Sequence, residues 1–597
     1  MTEPHVFGET LANARRRLLD LRVPEGHWEG ELSTSALSTA TALVALGCVD
    51  ENRHGPRIEA ACRWLTGHQN ADGGWGDTVK SFSNVSTTLL CWSALSRFGG
   101  EETHDAVRRA RFWVQDYVGS LRPERIAETV KARYGKDRTF SVPILMLCAI
   151  CGVLGPNGWK HVLRLPFELA AFPRHWFAAM RFPVVSYALP ALIAIGYAKQ
   201  RQTAKNKRHA LWPRVSALLT RIQPGSGGFL EAAPLTSFVT MALVSAGEKD
   251  HPVAKRGVDF LVDTVRPDGS WPIDTNLATW ATTLSVKALA ETEQGSVDHS
   301  TPFDRRGEVL DWLLGQQYRE VHPFTDARPG GWAWTDLSGG VPDADDTPGA
   351  LLALDLLKTP EREAEIAEAA EAGVEWLLNL QNGDGGIPTF CRGWGALPFD
   401  RSSPDLTAHS LRAWHVWRPR MSPGVRTRLD RSVEKAIRFL RRRQLPDGSW
   451  VPLWFGNQHR SGDEENPTYG TAMVVRALDE IGEPELADAG AAWLSQQQNS
   501  DGGWGCLKDE TPSSIEETAL ALSALALRAG NAEGIDRGVR WLIRATDGGT
   551  KFEPSPIGFY FAKLWYYERA YPIVWTVEAL SRVAVSGATR TPEVSAG

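Results

Sequence analysis

Three carboxylates fall within four positions at Asp343-Ala344-Asp345-Asp346, behind Val341-Pro342 and ahead of Thr347-Pro348 and the strongly helical stretch Gly349 to Leu357. Crowded aspartates raise one another's affinity for protons, so such a cluster can keep one carboxylic acid protonated near neutral pH. Asp405-Leu406-Thr407-Ala408-His409 opens the corresponding segment one repeat later. A cationic or hydrogen-bonding histidine there stabilises the carboxylate left after proton donation. The two groups together suit a Brønsted acid aimed at a poor base. The bland alternative is helix capping, because Asp is favoured at N-caps and in first helical turns by the helix dipole and free N–H groups. Context decides for chemistry: Gly330-Gly331-Trp332-Ala333-Trp334 stands just upstream and the Asp405/His409 pair one repeat later.

The elements that must position these residues announce themselves through tryptophan. The 597-residue chain has 24 Trp against 10 Tyr, a bias that needs a repeated local cause. The cause is a phrase in which an aromatic-Leu pair is followed by Gln and then by Asp-Gly-(Gly/Ser)-Trp. Full copies are Trp64-Leu65…Gln69…Asp72-Gly73-Gly74-Trp75, Phe439-Leu440…Gln444…Asp447-Gly448-Ser449-Trp450 and Trp493-Leu494…Gln498…Asp501-Gly502-Gly503-Trp504. Weaker copies end at Trp271, Trp332 and Ile387, and a degenerate one at Asp547-Gly548-Gly549. From Trp271 the closing positions are spaced by 61, 55, 63 and 54 residues, which is room for two helices per repeat. Each Gly-rich phrase reads as a helix end, since Asp-Gly is turn chemistry and glycine supplies the positive φ of a C-cap. The Gln is expected to bond exposed backbone at a neighbouring helix end while the Trp packs over it.

Paired helices in repeats of this length predict a closed α/α toroid, because one hairpin alone leaves an apolar face uncovered. The expected fold is all-α, with two α/α-barrel domains: residues 1–30 plus about 250–597 forming the barrel that carries the Asp cluster, and about 31–250 a second, less regular barrel. The tail Ser586 to Gly597 is small and polar and is expected to be disordered.

Composition narrows the partners. With 65 Lys+Arg against 71 Asp+Glu, a net charge of −6, there is no general attraction to nucleic acid. Seven scattered cysteines argue against a disulfide framework or a zinc module. Cys148 and Cys151 form one CxxC, but within an apolar stretch where buried packing is the better reading. The N-terminus lacks the apolar core of a signal peptide, so a cytosolic location is expected. The longest apolar run, Phe182 to Ala198, carries Pro183 and Pro190 and reads as buried helix rather than a membrane span.

The Gln…Asp-Gly-Gly-Trp repeats, Asp343-Ala344-Asp345-Asp346-Thr347 and Asp405-Leu406-Thr407-Ala408-His409 together resemble the squalene-hopene cyclase branch of the class II terpene cyclases. The resemblance spans nearly the whole chain, from Gly26-His27-Trp28-Glu29-Gly30-Glu31-Leu32 to Tyr566-Tyr567-Glu568-Arg569-Ala570-Tyr571-Pro572. It implies two α/α barrels around a large cavity, with a terminal isoprene double bond protonated by the middle aspartate. On that resemblance Asp345 is the donor, Asp343 and Asp346 its partners, and His409 with Asp405 the pair that sharpens its acidity. An alkene is so weak a base that the acid must be held protonated in a water-poor pocket. The cation then needs aromatic faces, worth about 0.5 to 2 kcal/mol each. Candidate liners are Trp280, Trp334, Trp454, Tyr469, Phe559, Tyr560 and Phe182.

The chain also departs from the family. Ser38 and Leu89 stand where acidic residues are expected, Trp280-Ala281 where a Trp-Asp pair is expected, and Phe182 where a Trp is expected. Those positions bear on the terminating end of the reaction, so the proton-donating end is the better preserved. The expected activity is conversion of a linear polyprenyl hydrocarbon, squalene first, to a hopene-like polycycle, with no metal and no cofactor. Three alternatives stay open. One is a class II cyclase of another prenyl chain, with or without a diphosphate. The others are a protein-prenyltransferase-like toroid, whose zinc ligands are not found, and a non-catalytic scaffold. Squalene is practically insoluble in water, so the membrane surface is an expected partner, with the protein monotopic on the inner face of the cell membrane and a homodimer among the expected assemblies. Pro166 to Phe182 and Leu211 to Leu243 mix apolar and aromatic residues with arginines, the composition of an interface.

Overall fold

In the computed structural model of the chain, the described residues are 4–135, 139–173, 189–203, 208–294, 303–323, 325–390, 401–460, 462–526, 528, 531–559 and 563–586. Six inner helices, Ala278–Gln294, Asp346–Leu357, Pro404–Trp417, Pro467–Ile481, Ile515–Leu525 and Tyr571–Ser586, pack each on the next, and the last closes on the first. Outside them lie Arg306–Gly315, Glu363–Leu380, Pro423–Arg443, Pro484–Gln496 and Ala532–Ala545. The N-terminal helix Pro4–Leu19 fills the remaining outer place against Tyr571–Ser586. A second ring is formed by Ala36–Asp50, Val85–Phe98, Ser141–Ile150, Leu189–Thr203 and Ala233–Ser245, again closing last on first.

Sequence pattern explains which helices are inside. Every residue of Ile515–Leu525 is buried, as it must be for a helix covered on all sides. Pro423–Arg443 buries one stripe, Val425, Leu429, Ser432, Ala436, Phe439 and Leu440, and turns its arginines to solvent.

The repeat phrase is the joint between inner and outer helices. Trp504 Nε1 donates to the Leu494 carbonyl at 2.8 Å, and Trp75, Trp271 and Trp450 do the same to the leucine ten positions back. Each thereby satisfies a carbonyl that the ending helix leaves free. Gln498 Nε2 donates both to Gly502 O in its own turn and to Gly534 O on the next outer helix, at 2.9 and 2.8 Å. Gly448 sits at φ +96°, and a Cβ there would lie 2.6 Å from the Ala489 carbonyl, so only glycine closes that turn.

Consecutive repeats are tied by an indole N–H reaching the Asp of the preceding turn: Trp493 to Asp447, Trp541 to Asp501 and Trp113 to Asp72. Gln223, bonded to Gly227 O and Val253 O, marks a further copy that the sequence pattern did not reveal, because Phe229 replaces its tryptophan.

Two apolar cores result. One is built from Phe7 to Leu32 and Trp280 to Val583, the other from Ala36 to Trp271 with Val341. Val253, Ala254, Val258, Phe260 and Leu261 of helix Pro252–Asp263 belong to the second. The changeover therefore follows Trp271, later than the expected position near 250. At that seam Thr34–Ser35 pairs antiparallel with Trp271–Pro272, and a second short ladder joins Ile557–Phe559 to Leu564–Tyr566. No helix among the described residues is long and apolar enough to cross a membrane. Cys148 is buried, and burial pushes its thiol up to about 11, so it packs rather than reacts.

Candidate active site

The Asp cluster stands at the start of the inner helix Asp346–Leu357, with Asp345 in the N-cap position. The Asp343 amide donates to Trp332 O at 3.0 Å and the Ala344 amide to Thr389 O at 3.1 Å, so two neighbouring repeat turns hold the segment from either side. Asp343 performs the capping that the bland reading assigned to the cluster: its Oδ1 accepts the amides of Asp345 at 2.9 Å and Asp346 at 2.7 Å. That occupation frees Asp345. Asp343 and Asp346 are buried while Asp345 is half-buried, yet burial is the largest influence on its carboxyl.

The electrostatics favour protonated carboxyls. Burial first, then the charges of Asp343 and Asp405, hold Asp345 well above the usual carboxylate range. Burial, then Asp343 and Asp345, does the same for Asp346. Asp343 is pushed up to about 7 by burial, against the opposing effect of the amides it accepts. Asp405, one residue into helix Pro404–Trp417, is raised by burial and accepts the Ser403 hydroxyl. A cluster so arranged keeps an undissociated acid at neutral pH.

His409 lies one turn along from Asp405 on the same helix, beside Gly349 of the aspartate helix. It differs from the cationic or hydrogen-bonding histidine expected there. Burial, reinforced by Arg412, Lys287 and Arg476, holds its pKa well below the ordinary value, and neither ring nitrogen has a hydrogen-bond partner among the described residues. A neutral imidazole cannot serve as a resident counter-charge for Asp345.

Aromatic groups stand on the neighbouring helix starts and turns. Trp280 meets His409 edge-on at 6.2 Å and donates from Nε1 to the Tyr571 hydroxyl at 3.0 Å. Trp334 lies 6.0 Å from Phe390, which in turn lies 6.0 Å and edge-on from Trp454. Trp454 donates to Thr389 Oγ1, in the segment that also holds Ala344. Tyr469, third residue of helix Pro467–Ile481, stacks obliquely on Phe455 at 4.3 Å, and its hydroxyl is raised by burial and then by Asp405 and Asp345. Of the remaining candidates, Phe559 ends strand Ile557–Phe559, while Tyr560 and Phe182 lie outside the described residues.

Some site residues escaped the sequence reading. Tyr566 and Tyr571 exchange a hydroxyl hydrogen bond at 3.2 Å, Tyr571 stacks on Trp575 at 4.9 Å, and the Tyr566 hydroxyl feels Asp345. The signal was the aromatic density of Tyr566-Tyr567…Tyr571, which served only as a marker of resemblance. Asp274, just before helix Ala278–Gln294, is held well above its usual range by burial and then by the Glu231 charge. Nothing in its local sequence distinguishes it from an ordinary turn aspartate. Among the described residues no group of three or more His, Cys, Asp and Glu is placed to hold a metal ion.

Comparison with known proteins identifies the family. The model of the squalene-hopene cyclase C-terminal domain matches residues 277–584 and that of the N-terminal domain residues 11–211. A terpene cyclase-glycosyl transferase fusion protein of Humicola fuscoatra is 28% identical over 616 residues, covering 87% of this chain and 45% of the relative. The chain thus spans less than half the length of that protein. A squalene-hopene cyclase of Alicyclobacillus acidocaldarius is 26% identical over 635 residues, covering 92% of this chain and 93% of the relative. Among solved structures, ent-copalyl diphosphate synthase from Streptomyces platensis superposes with a TM-score of 0.58 at 18% identity, over 98% of this chain and all of the other, a likeness of fold.

Proposed function

The chain belongs to the squalene-hopene cyclase family, and we propose that it cyclises a linear polyprenyl hydrocarbon, squalene first, by proton transfer from Asp345 to a terminal double bond. One observation carries the reading. Asp345 sits at an inner-helix N-terminus, with its own amide and that of Asp346 already taken by Asp343. The helix end therefore does not hold its carboxyl ionised, and burial with two neighbouring carboxyls keeps the proton on it. The surrounding rings, Trp280, Trp334, Trp454 and Tyr469, offer π faces to the cation and no strong nucleophile. The relative of Alicyclobacillus acidocaldarius bears the name of this activity.

The proposal extends to the membrane. Leu163, Phe172 and Leu211 are exposed at 46%, 49% and 37%, on either side of residues 174–188 in sequence. Exposed apolar side chains next to the stretch expected at an interface support a monotopic protein that draws its substrate from the inner face of the cell membrane. The test incubates purified protein with squalene in detergent and reads polycyclic product by mass spectrometry, with a parallel sedimentation against liposomes. Turnover of a prenyl diphosphate without turnover of squalene overturns the substrate. Full activity in the high-speed supernatant, with neither lipid nor detergent present, overturns the membrane step.

A further inference from the structure

Protonating an alkene consumes the proton of Asp345, so each cycle has to return one from solvent. Burial is the largest influence on that carboxyl, and the return therefore needs a path. One buried carboxyl outside the aspartate cluster has both a surface contact and a contact with the cluster's own loop. Glu231 lies just ahead of the inner helix Ala233–Ser245 of the smaller barrel and is 1% exposed. Its Oε1 accepts the hydroxyl of Ser226, an exposed residue, at 2.6 Å and the Gly339 amide at 2.6 Å. A Cβ on residue 339 would lie 2.5 Å from that oxygen, so glycine is what lets the loop approach. Gly339 stands four positions before Asp343, in a loop whose Val341 packs into the smaller barrel's core. At the outer side the Ser226 amide donates to Oγ of the exposed Ser338 at 2.9 Å, and the exposed Asp336 is close enough for its charge to act on Glu231.

The inner side of Glu231 is open to a further partner. Its Oε2 is buried without a hydrogen bond among the described residues, and Asp343 Oδ2 is likewise buried without one. The Tyr318 hydroxyl, which donates to Gly340 O at 2.8 Å, feels both groups: burial raises its proton affinity first, then Asp343, then Glu231. Buried polar atoms left unpaired by protein are ordinarily bridged by ordered water. Burial raises the proton affinity of Glu231 against the opposing Ser226 and Gly339 donors, which suits a group that has to load and unload near neutral pH. The other titratable groups beside it are Asp274, whose backbone pairs with Ala232, and His322, which meets Gly340 O at 2.9 Å. We propose that Glu231 is the port through which the aspartate cluster recovers protons from solvent, taking them up at the Ser226 mouth and passing them to Asp343. The inference rests on the reading of Asp345 as proton donor, and Glu231 acts through Asp343 without touching substrate. In the return, a solvent hydronium ion gives its proton to the Glu231 carboxylate. The Glu231 O–H bond then breaks, its electron pair staying on the oxygen, as the Tyr318 hydroxyl or a bridging water accepts that proton and releases one of its own to Asp343. Asp343 delivers it to the carboxylate that alkene protonation left on Asp345. The cyclised cation sheds a proton to solvent, directly or after adding water, so one proton enters and one leaves per cycle.

The experiment separates the first turnover, which uses the proton already on Asp345, from the steady rate, which needs its return. The full chain in excess over squalene, or over a prenyl diphosphate if that is what it turns over, reports the first by rapid quench, and substrate in excess reports the second. Glu231→Gln keeps an oxygen for Ser226 and Gly339 but carries no acidic proton. It is expected to leave the first turnover within about twofold and to lower the steady rate about tenfold, with at least about half of the loss restored by added imidazolium or formic acid as a small proton donor. Glu231→Asp, which still carries a proton, should recover part of the steady rate without any added acid. A fall in both phases alike, unrelieved by the added acids, makes Glu231 a structural tie of the loop and overturns the inference, and so does an unchanged steady rate. Ser226→Val, at an exposed position, is expected to give the same split at about threefold and serves should Glu231→Gln not fold, with equal rates in the two phases again overturning the port. Asp345→Asn is expected to lose the first turnover itself. If it keeps that turnover, the donor reading fails whatever the Glu231 variants show.

Discussion

Two buried aspartates, one in each barrel, show what decides the role of a carboxyl in this molecule. Asp77, in the smaller barrel, accepts the Asn84 amide at 2.9 Å, the Thr87 hydroxyl and, from the far end of the chain, the Trp565 amide at 2.9 Å. The Asp345 carboxyl, in the larger barrel, accepts no hydrogen bond from the described residues and faces two other carboxyls. Burial raises both pKa values. At Asp77 the donors oppose burial and tie the seam between the barrels. At Asp345 nothing opposes it, and the proton is left available. The comparison generalises: the smaller ring lines its inner helices with Ser, Thr, Ala and Leu, as in Ala36–Asp50, whereas the larger ring carries carboxyls at its helix starts and cations deeper in.

The sharpest way to break the contrast is substitution at its two poles. Asp345→Asn is expected to lower turnover by about three orders of magnitude or more, as loss of a general acid does, with the melting temperature unchanged. Near wild-type turnover in this variant would end the comparison. Next in size, Trp504→Ala and Trp75→Ala should each cost about 3 to 5 kcal/mol by denaturant unfolding. The two indoles make the same bond at the same 2.8 Å in different barrels. A large disparity between them would show that the repeat joint is not equivalent in the two rings.

Asp77→Ala should cost about 3 kcal/mol, because it strands buried donors, and should leave the intrinsic rate of the folded fraction intact. Loss of rate without loss of stability would place Asp77 on the chemical side.

The pH dependence of stability separates the two kinds of carboxyl in another way. Asp343 and Glu568 are each raised to about 7 and Glu516 to about 8, all by burial, from an unfolded value of about 4. A raised carboxyl binds its proton more tightly when folded. Its contribution is complete below the unfolded pKa and is lost as pH rises through 7 to 8. Glu480 and Glu578 are depressed by the arginines and Lys287 around them, so their contribution is present above about 4.3 and lost on further acidification. Unfolding free energy is therefore expected to rise by several kcal/mol between pH 8 and pH 5 before it falls, and Asp343→Asn should remove about a third of that rise. The smallest effect is assigned to a single ring: Trp454→Leu should lower turnover roughly fivefold, the worth of one desolvated π face.

The sequence by itself determined the repeat joints, because Gln, Asp-Gly and Trp each satisfy a local demand: a free carbonyl, a positive φ, a bond to the leucine ten residues back. It also determined which aspartates cluster, since Asp343, Asp345 and Asp346 are neighbours in the chain, and it placed Asp405 and His409 one repeat away. Phe229 hid the copy at Gln223, because the backbone needs the glutamine and glycine there whether or not an indole follows. Tertiary structure alone decided that Asp343 does the capping and leaves Asp345 free, that His409 is neutral, and that Asp274, Tyr566 and Tyr571 join the site from distant segments. It alone gathered Lys287, Arg412, Arg476 and Arg582 around Glu480 and Glu578. The reason is physical. A capping bond or a glycine turn is settled within a few residues, whereas a proton affinity is the sum of burial and of charges that arrive from every helix of the closed ring.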